Sequence, residues 1–599
     1  MATKKKPENV LSKIPQSKEL ALVVLLVLSS ITAASYYWST DNNSNDEINL
    51  NNMVDPLLQD EGHNHRNASE HQLWTENIEF VSYNELTKPG NAEIQVANSP
   101  DGRTYAYQAG WKGFHIIDVT DPSNTTVTAW YNDPYTQVLD IKYLQYNGRE
   151  YIICQNQIVD SGQSDPNVGD WDDPAQVSVN LVDVTDKTDP QWIDSWYDTD
   201  HPSGPHNLYT YMICKGVPER CEWYIFVANP DYEDCDIGTG DACGGITIAH
   251  LNFANSDLPR IFKVGEAEVS WETTRGGWIY IHDMTVQRWP GIDENDPRFG
   301  RTFIYGAYWE AGLRIFDVSD VPHPADPDYY AYATLCYTHV PVSCNYRAEE
   351  VGHWMDFADL NGDGESDSST ASNSSSVNGG RASYIHYAEP YPVMVDGSHL
   401  GMGEEPIHMT FIATEVLETT NGTGLSYLLD TTEVSCMTSG CPFTFQPKLL
   451  SAWENPFGAD HHIPGGEEWL LFSPHNADTV WFDTSEGGDT SHGGTWDGRI
   501  YMGNYHSGLW VLDMETLMVG EGYLDNTYRE ATVGYYLPHG ADGVPLDSQF
   551  YDFGWVPFLW TAEYYNGYVY LSCITSGLYI VQLDLDVPYV DSSLAVSED

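Results

Sequence analysis

The sequence predicts an all-β protein, a β-propeller of about seven four-stranded antiparallel blades preceded by one N-terminal transmembrane or signal helix. One short apolar motif recurs along the chain, and its 50 Gly and 33 Pro residues are typical of many tight turns. No long stretch of helical periodicity follows residue 40. Amphipathic strands of this kind cannot bury their apolar faces alone, whereas four-stranded sheets stacked around an axis bury them.

The recurring motif is a small residue, then alternating apolar residues, then often Asp and a turn. Its seven copies begin at residues 113, 179, 245, 312, 424, 508 and 577. Four of the six steps between copies measure 66 to 69 residues, which predicts one blade per copy. The steps of 112 and 84 residues predict insertions in the fifth and sixth units. The longer of these steps leaves room for a degenerate eighth blade.

Strands on either side of each copy complete a unit of about four. An apolar run precedes each copy, as at Thr104–Ala109, and another short strand follows each of the first six, as at Val127–Tyr131. The seventh copy ends near Asp584 without a fourth strand, while residues 78–83 form an orphan strand before the first copy. We therefore expect residues 78–83 to complete the last blade and remove an exposed sheet edge.

Two copies of the motif carry a family resemblance. Residues 312–320 read GLRIFDVSD and residues 113–122 read GFHIIDVTDP. They resemble the LVIVD repeat, and the resemblance extends over roughly residues 80–585. It implies a β-propeller exposed on a bacterial or archaeal surface, and it does not imply an activity.

The N-terminus carries an export signal. Lysines are frequent in residues 1–19, a cytoplasmic basic tail, and residues 20–38 are apolar and end in Tyr-Tyr-Trp. We interpret residues 20–38 as a signal anchor, with a cleaved signal peptide as the alternative. Residues 39–75 then form a flexible acidic stalk, residues 76–585 the propeller with an insertion around residues 359–382, and residues 586–599 an acidic tail. The expected location is a cell membrane with the propeller outside the cytoplasm, or secretion if the signal is cleaved.

The cysteines are consistent with export. Eight of the ten lie in close pairs, which predicts disulfides that close short loops in an oxidising compartment. The pairs are Cys214/Cys221, Cys235/Cys243, Cys336/Cys344 and Cys436/Cys441. Zinc binding is an alternative for the last pair. Cys154 and Cys573 lie in apolar runs and are expected to be buried free thiols.

The formal net charge of −62 excludes one class of partner. Such a field repels nucleic acid and anionic membrane surfaces. Hydration in salty water explains the acidity most simply, and binding of divalent cations or of a cationic partner are the alternatives. The expected ligand is an extracellular protein or glycan.

An acidic loop at residues 359–367 has the spacing of a calcium site. It reads D-x-N-x-D-G-x-x-D, which places oxygen donors around a sharp glycine turn as hard cations require. It resembles the calcium loops of dockerins and integrin-type propellers, although Thr370 stands where the bidentate Glu of an EF-hand would be. An acidic Gly-rich turn is the alternative. The candidate ligands are Asp359, Asn361, Asp363, Glu365 and Asp367.

Histidines predict a second candidate site. Four units begin their presumed first strand with His, namely His206, His282, His353 and His475. First strands line a propeller axis, so these imidazoles could converge and bind Fe, Cu or Zn. Carotenoid-cleaving oxygenases hold iron in this way, which is an analogy of geometry without a sequence match. Asp140 occupies the equivalent position in the second repeat unit and could bind the metal or orient one of its ligands.

A structural explanation competes with the metal site. Each His could instead cap its strand by bonding to the backbone of a neighbouring blade. Four carboxylates could reach the axis as outer partners or bases, or could simply lie on the surface: Glu349, Glu350, Glu415 and Glu563.

Two functions therefore remain open. One is a membrane-tethered surface module that binds or scaffolds, with a calcium-stiffened loop. The other is an exported metal-dependent enzyme, such as an oxidase or oxygenase, with a multi-His centre. The sequence names no catalytic residue, because it contains no nucleophile elbow, phosphate-binding loop, dinucleotide motif or H-E-x-x-H motif.

Overall fold

A computed structural model describes most of the chain between residues 75 and 583. The described ranges are 75–86, 90–156, 178–198, 205–216, 220–229, 245–269, 281–309, 311–337, 344–354, 384–395, 406–415, 424–436, 441–455, 473–479, 498–518, 531–538, 558–574 and 576–583. The predicted tail, anchor and stalk, the calcium loop at 359–367 and the C-terminal tail lie outside these ranges. Among the described residues, no helix is both long and apolar enough to span a membrane.

Within these ranges the strands form seven antiparallel sheets, blades 1 to 7, which confirms the predicted architecture. Blade 1 contains β3 (Ile94–Asn98), β4 (Thr104–Asp118) and β5 (Thr126–Gln137). Blade 2 contains β6 (Ile141–Tyr146), β7 (Arg149–Asn156), β8 (Ser178–Asp183) and β9 (Gln191–Trp196). Blade 3 contains β10 (Asn207–Lys215), β11 (Arg220–Asn229), β12 (Gly245–Leu251) and β13 (Ile261–Ala267).

The remaining blades follow the same order from the axis outwards. Blade 4 contains β14 (Asp283–Arg288), β15 (Thr302–Ala307), β16 (Leu313–Asp317) and β17 (Glu349–Trp354). Blade 5 contains β18 (Tyr384–Pro390), β19 (Met409–Glu415), β20 (Leu425–Asp430) and β21 (Lys448–Glu454). Blade 6 contains β22 (Ala477–Thr479), β23 (Arg499–Gly503), β24 (Leu509–Asp513) and β25 (Thr532–Tyr536). Blade 7 contains β26 (Leu559–Tyr565), β27 (Tyr568–Cys573) and β28 (Gly577–Leu583).

Blade 1 also has four strand segments, because β4 folds back on itself. Its first half pairs with β3 and its second half pairs with β5. The Val119 N–H donates to the Thr104 carbonyl at 2.9 Å, which brings the two ends of β4 together. The motif copy that begins at residue 113 is therefore the third strand segment of its blade.

The N-terminal strand closes the ring, as predicted. Strand β2 (Ile78–Glu85) pairs antiparallel with β28 and becomes the outer strand of blade 7. Just before it, β1 (Thr75–Glu76) pairs with β25 and extends blade 6. The two ends of the propeller are thus joined by backbone hydrogen bonds, which removes an unpaired edge from blade 7.

The innermost strands form a closed ring of neighbours, in which β3, β6, β10, β14, β18, β22 and β26 contact one another in order. Polar side chains on these strands tie each blade to the next. Gln95 accepts from Tyr143 N, Asp140 from Leu208 N, Asp478 from Tyr564 N and Glu563 from Val96 N, all at 2.7–2.9 Å. Much of the polarity at the axis therefore holds the blades together.

Two short helices lie between strands. Helix α1 (Tyr329–Tyr337) separates β16 from β17 and contacts β13 of blade 3, while α2 (Met514–Met518) separates β24 from β25. Helix α1 matters for the site, because it lengthens blade 4 and delays that blade's fourth strand.

The predicted cysteine pairing is confirmed wherever both partners are described. Disulfides join Cys214 to Cys221, Cys336 to Cys344 and Cys436 to Cys441. The first lies next to the turn of the β10–β11 hairpin, where the two cysteines face each other in register. Cys154 and Cys573 are buried free thiols, as expected. The pair Cys235/Cys243 lies outside the described residues.

Candidate metal centre

Four histidines from consecutive blades meet near the propeller axis. They are His206 of blade 3, His282 of blade 4, His386 of blade 5 and His475 of blade 6, and they form the histidine cluster. All four side chains are buried, with 1–6% of their surface exposed. His206, His282 and His475 sit just before the inner strands β10, β14 and β22, and His386 lies within β18.

Backbone pairing fixes the positions of these side chains. The N–H groups of His206, His282 and His475 donate at 2.8–2.9 Å to carbonyls at the end of the second strand region of the same blade. In blade 4 the chain near Trp309 forms a bridge to Ile385, next to His386. The histidines are therefore held by strand geometry, and sites supported in this way need little rearrangement to bind a ligand.

The rings approach one another closely. His206 Nε2 and His282 Nε2 are 3.0 Å apart. The ring centroids are 4.3 Å apart for His206 and His282, 4.0 Å for His282 and His386, and 4.0 Å for His386 and His475. The predicted convergence of imidazoles from separate blades is thus found for His206, His282 and His475.

The fourth predicted histidine is a different residue. His353 lies on β17, the outer strand of blade 4, with 43% of its side chain exposed and its Nδ1 3.3 Å from Glu350 Oε1. The prediction that His353 opens a first strand is wrong, because α1 and its loop shift the fourth strand of blade 4 to that position. His386 occupies the expected place in blade 5, and sequence reasoning missed it.

A carboxylate joins the cluster. Glu415, at the end of β19, accepts a 2.6 Å hydrogen bond from the Tyr505 hydroxyl on its Oε1. Its Oε2 lies 4.0 Å from His386 Nε2. One ligand atom each from His282, His386 and Glu415 lie within 4.8 Å of one another, so small side-chain shifts would let them share a metal ion.

The other carboxylates singled out in the sequence do not join the cluster. Glu349 and Glu350 lie on β17, where Glu350 pairs with Arg314 at 3.0 Å. Glu563 bonds the backbone of blade 1, as described above. Asp140 accepts from Lys142 on Oδ1 at 2.7 Å and from Leu208 N on Oδ2.

Several buried nitrogen and oxygen atoms of the cluster have no hydrogen-bond partner. They are both ring nitrogens of His386, Nε2 of His475 and Oε2 of Glu415. His475 Nδ1 faces the Trp560 carbonyl at 2.7 Å and therefore carries its proton, which leaves a lone pair on Nε2. A buried polar atom without a partner costs about 1–3 kcal/mol, so several in one place require an explanation.

Burial sets the protonation of these groups. It lowers the pKa of His206 to about 4 and that of His475 to about 3. It also holds the pKa of His282 and His386 well below the usual range, and the neighbouring histidines add to the effect. Burial raises the pKa of Glu415 to about 7. The imidazoles are therefore neutral at pH 7, which is the form that binds metals.

Aromatic side chains wall the cluster. Trp309 lies 5.4 Å from His282, and Tyr505 and Trp560 lie 4.7 and 4.4 Å from His475, measured between ring centroids. Such walls exclude water and strengthen electrostatic interactions within the site.

A cavity on the axis adjoins the cluster, and we call it the axial cavity. Asp283, Tyr387 and Asn476, each of which follows a cluster histidine in the sequence, contribute to its lining. About 520 Å³ in the cavity and its mouth is free of protein atoms, open solvent included. The four cluster histidines themselves do not contribute to this lining.

The spacing of His206 and His282 bears on which metal could fit. An ion about 2.05 Å from both nitrogens holds them about 2.9 Å apart at a right angle and about 3.3 Å apart at the tetrahedral angle. The observed 3.0 Å is closer to the right angle. The same distance also fits an N–H···N hydrogen bond between the two rings, so it does not select a metal.

Comparison with known proteins bears on the family. Residues 103–133 match the family model of the LVIVD repeat, and they cover β4 and the first half of β5. No curated protein is similar enough to the chain to count as a match. The expected resemblance to the LVIVD repeat is confirmed at residues 103–133, and the described strands form a seven-bladed β-propeller.

Proposed function

We propose that this propeller binds one transition-metal ion in the histidine cluster and acts as an exported metal-dependent oxidoreductase of the oxidase or oxygenase type. His206, His282, His386 and His475 are the proposed ligands, and Glu415 is a fifth ligand or an outer partner. The observation that carries the proposal is the convergence of buried ring nitrogens and one carboxylate oxygen that lack hydrogen-bond partners.

The structural explanation of these histidines accounts for only part of the geometry. His475 does bond the backbone of the next blade through Nδ1, and His206 and His282 could share an N–H···N hydrogen bond. That explanation leaves His386 without a partner on either nitrogen and Glu415 Oε2 facing it. A metal ion would bind one ring nitrogen of His386, Nε2 of His475 and Oε2 of Glu415 at once, since an imidazole offers one ion a single nitrogen.

Elemental analysis of protein purified without chelator tests the proposal. We expect about one Fe or Cu per chain in the wild type and in His353→Ala, the matched control on the outer strand. His282→Ala and His386→Ala should retain less than a tenth of it. Absence of stoichiometric transition metal from the wild type would refute the proposal. Stoichiometric Zn alone would refute its redox part, because Zn²⁺ has no redox chemistry.

A surface-binding role is the second candidate. It is supported by the disulfide-closed hairpins and by Trp192, which lies on the outer strand of blade 2 with 57% of its surface exposed beside Ile193 at 38%. Exposed adjacent apolar residues of this kind favour contacts with a protein or glycan. Trp192→Ser should abolish capture of that partner at the cell surface, while His386→Ala should not affect it.

The calcium loop and the membrane tether belong to the same candidate. We propose that residues 359–367 bind calcium and stiffen their loop, and that residues 20–38 anchor the propeller outside the cytoplasm. Calcium should protect the wild type, but not Asp363→Ala, from proteolysis near this loop. Membrane fractionation with N-terminal sequencing tests the anchor, and a mature chain that begins after residue 34 would refute it.

A further inference from the structure

We infer that the axial cavity holds a second cation site, separate from the histidine cluster, which takes a hard divalent cation such as Ca²⁺. Its proposed ligands are Glu93, Asp283 and the side-chain carbonyl of Asn476, and we call it the axial carboxylate site. The inference does not depend on the proposed redox function.

The three ligands come from different blades and face one cavity. Glu93 immediately precedes the inner strand of blade 1, Asp283 begins that of blade 4, and Asn476 immediately precedes that of blade 6. Asn476 Nδ2 donates to Glu93 Oε2 at 3.0 Å, although blade 7 lies between their blades in the ring. This bond holds side-chain oxygens of blade 6 and blade 1 close together in the cavity.

One observation points to a missing ligand. The side chain of Asn476 is 7% exposed, and its Oδ1 is buried without a hydrogen-bond partner. Because Nδ2 is held by Glu93, the amide orientation is fixed and Oδ1 presents a lone pair within the cavity lining. Carboxylate and amide oxygens are ligand types that Ca²⁺ takes, and waters would complete its shell of about six to eight oxygens.

The charges around the cavity also favour a cation. Five carboxylates contribute to its lining, and three of them bond neighbouring structure: Glu389, Asp478 and Glu563. Glu93 and Asp283 make no comparable bond to the backbone of another blade. Lys142 is the cavity's ammonium group, and Asp140, a sixth carboxylate, accepts its hydrogen bond at 2.7 Å. Burial raises the pKa of both Glu93 and Asp283, so a cation besides Lys142 would be needed to keep the two carboxyls ionised together.

Terbium luminescence provides a direct probe, since Tb³⁺ replaces Ca²⁺ and is sensitised by nearby tyrosines. Tyr209 and Tyr387 line the same cavity. The titration uses the full chain carrying Asp363→Ala, so that the loop at 359–367 does not contribute. We expect saturable Tb³⁺ emission that Ca²⁺ displaces, with a Ca²⁺ Kd of about 10⁻⁴ to 10⁻³ M, the range of extracellular calcium modules.

Matched variants locate the site. Glu93→Gln combined with Asp283→Asn should weaken Tb³⁺ binding at least tenfold, whereas Glu79→Gln, on the exposed face of β2, should leave it unchanged. Asn476→Asp adds a carboxylate and should tighten binding. His282→Ala with His386→Ala should remove the transition metal and leave Tb³⁺ binding intact, so the two sites succeed or fail separately.

Three results would overturn the inference. They are the absence of saturable emission in the Asp363→Ala chain, unchanged affinity after Glu93→Gln and Asp283→Asn, and loss of emission on removal of the histidines. If the double variant does not fold, Asn476→Asp decides the question, and unchanged or weaker binding in it counts against the site.

Discussion

Replacing His386 by Leu should separate a metal ligand from a structural histidine by the sign of its effect on stability. The two side chains have similar volumes, and His386 is 1% exposed. In the metal-free protein the substitution removes two buried nitrogens that have no partner. We therefore expect metal-free His386→Leu to be as stable as the metal-free wild type or more stable.

The magnitude follows from the size of the propeller. About 2.1 cal/mol/K of unfolding entropy per residue, over roughly 500 residues, makes 1 °C of Tm worth about 1 kcal/mol. A ligand at 100 times its Kd stabilises the native state by about 2.7 kcal/mol. Loading the wild type with metal should therefore raise its Tm by about 2.5 °C. His386→Leu should show no such increase, and its metal-free Tm should lie 0–2 °C above that of the wild type.

Differential scanning calorimetry of chelator-treated and metal-reloaded protein measures both effects. His353→Leu is the control, because His353 is exposed on β17 and outside the cluster. It should show the full increase on loading. A metal-free His386→Leu that melts several degrees below the wild type would refute the reasoning, since it would show that His386 contributes stability without a metal. An equal increase on loading in His386→Leu would place the metal elsewhere.

Three further predictions concern the fold. Replacing Cys214 and Cys221 by Ser removes the disulfide that closes a short loop, and by chain entropy this should lower the free energy of unfolding by about 2.5 kcal/mol. Calorimetry of this variant, with the reduced wild type as the control, measures the loss. Deleting residues 1–86 removes the closing strand β2 and should cause aggregation, measured by size-exclusion chromatography. Deleting residues 1–74 is the control and should leave the protein monomeric. A monomeric 1–86 deletion would contradict the role of β2. Burial lowers the pKa of His408 to about 3, so the native state resists protonation there and stability should fall between pH 6.5 and 3. The buried cluster histidines contribute to the same fall, so His408→Gln should reduce it by the share of one histidine in urea midpoints, and an unchanged slope would contradict this assignment.

The strand pattern was predictable because repeated local chemistry determines it. The seven copies of the motif each lie on the third strand segment of a blade, and the orphan strand at residues 78–83 was recognisable because the seventh copy lacked a successor. Period-two alternation and turn residues act over a few positions, so a single sequence reveals them.

The fourth histidine was not predictable by spacing, because insertions interrupt the period. Helix α1 lies between β16 and β17, and 29 residues outside the described ranges separate β17 from β18. Counting strands backwards from the motif copy at Gly424 identifies the inner strand of blade 5, which counting residues does not. The second strand before it is β18, which contains His386. Pairing order is more reliable than residue count wherever a blade carries an insertion.

The axis shows how structural and functional polarity can be told apart in a propeller. A ring of blades needs polar ties between neighbours, and Gln95, Asp140, Asp478 and Glu563 serve that need by accepting from the next blade's backbone. His475 also bonds the next blade, by donating from Nδ1 to the Trp560 carbonyl, and its Nε2 stays available in the cluster. Polar atoms that remain without partners after these ties are assigned include several at the cluster and Asn476 Oδ1 next to the cavity, and others lie elsewhere in the described residues, as at Asn504. Because unpaired buried donors are costly, a ligand that pairs them is the simplest reason for the chain to keep them there.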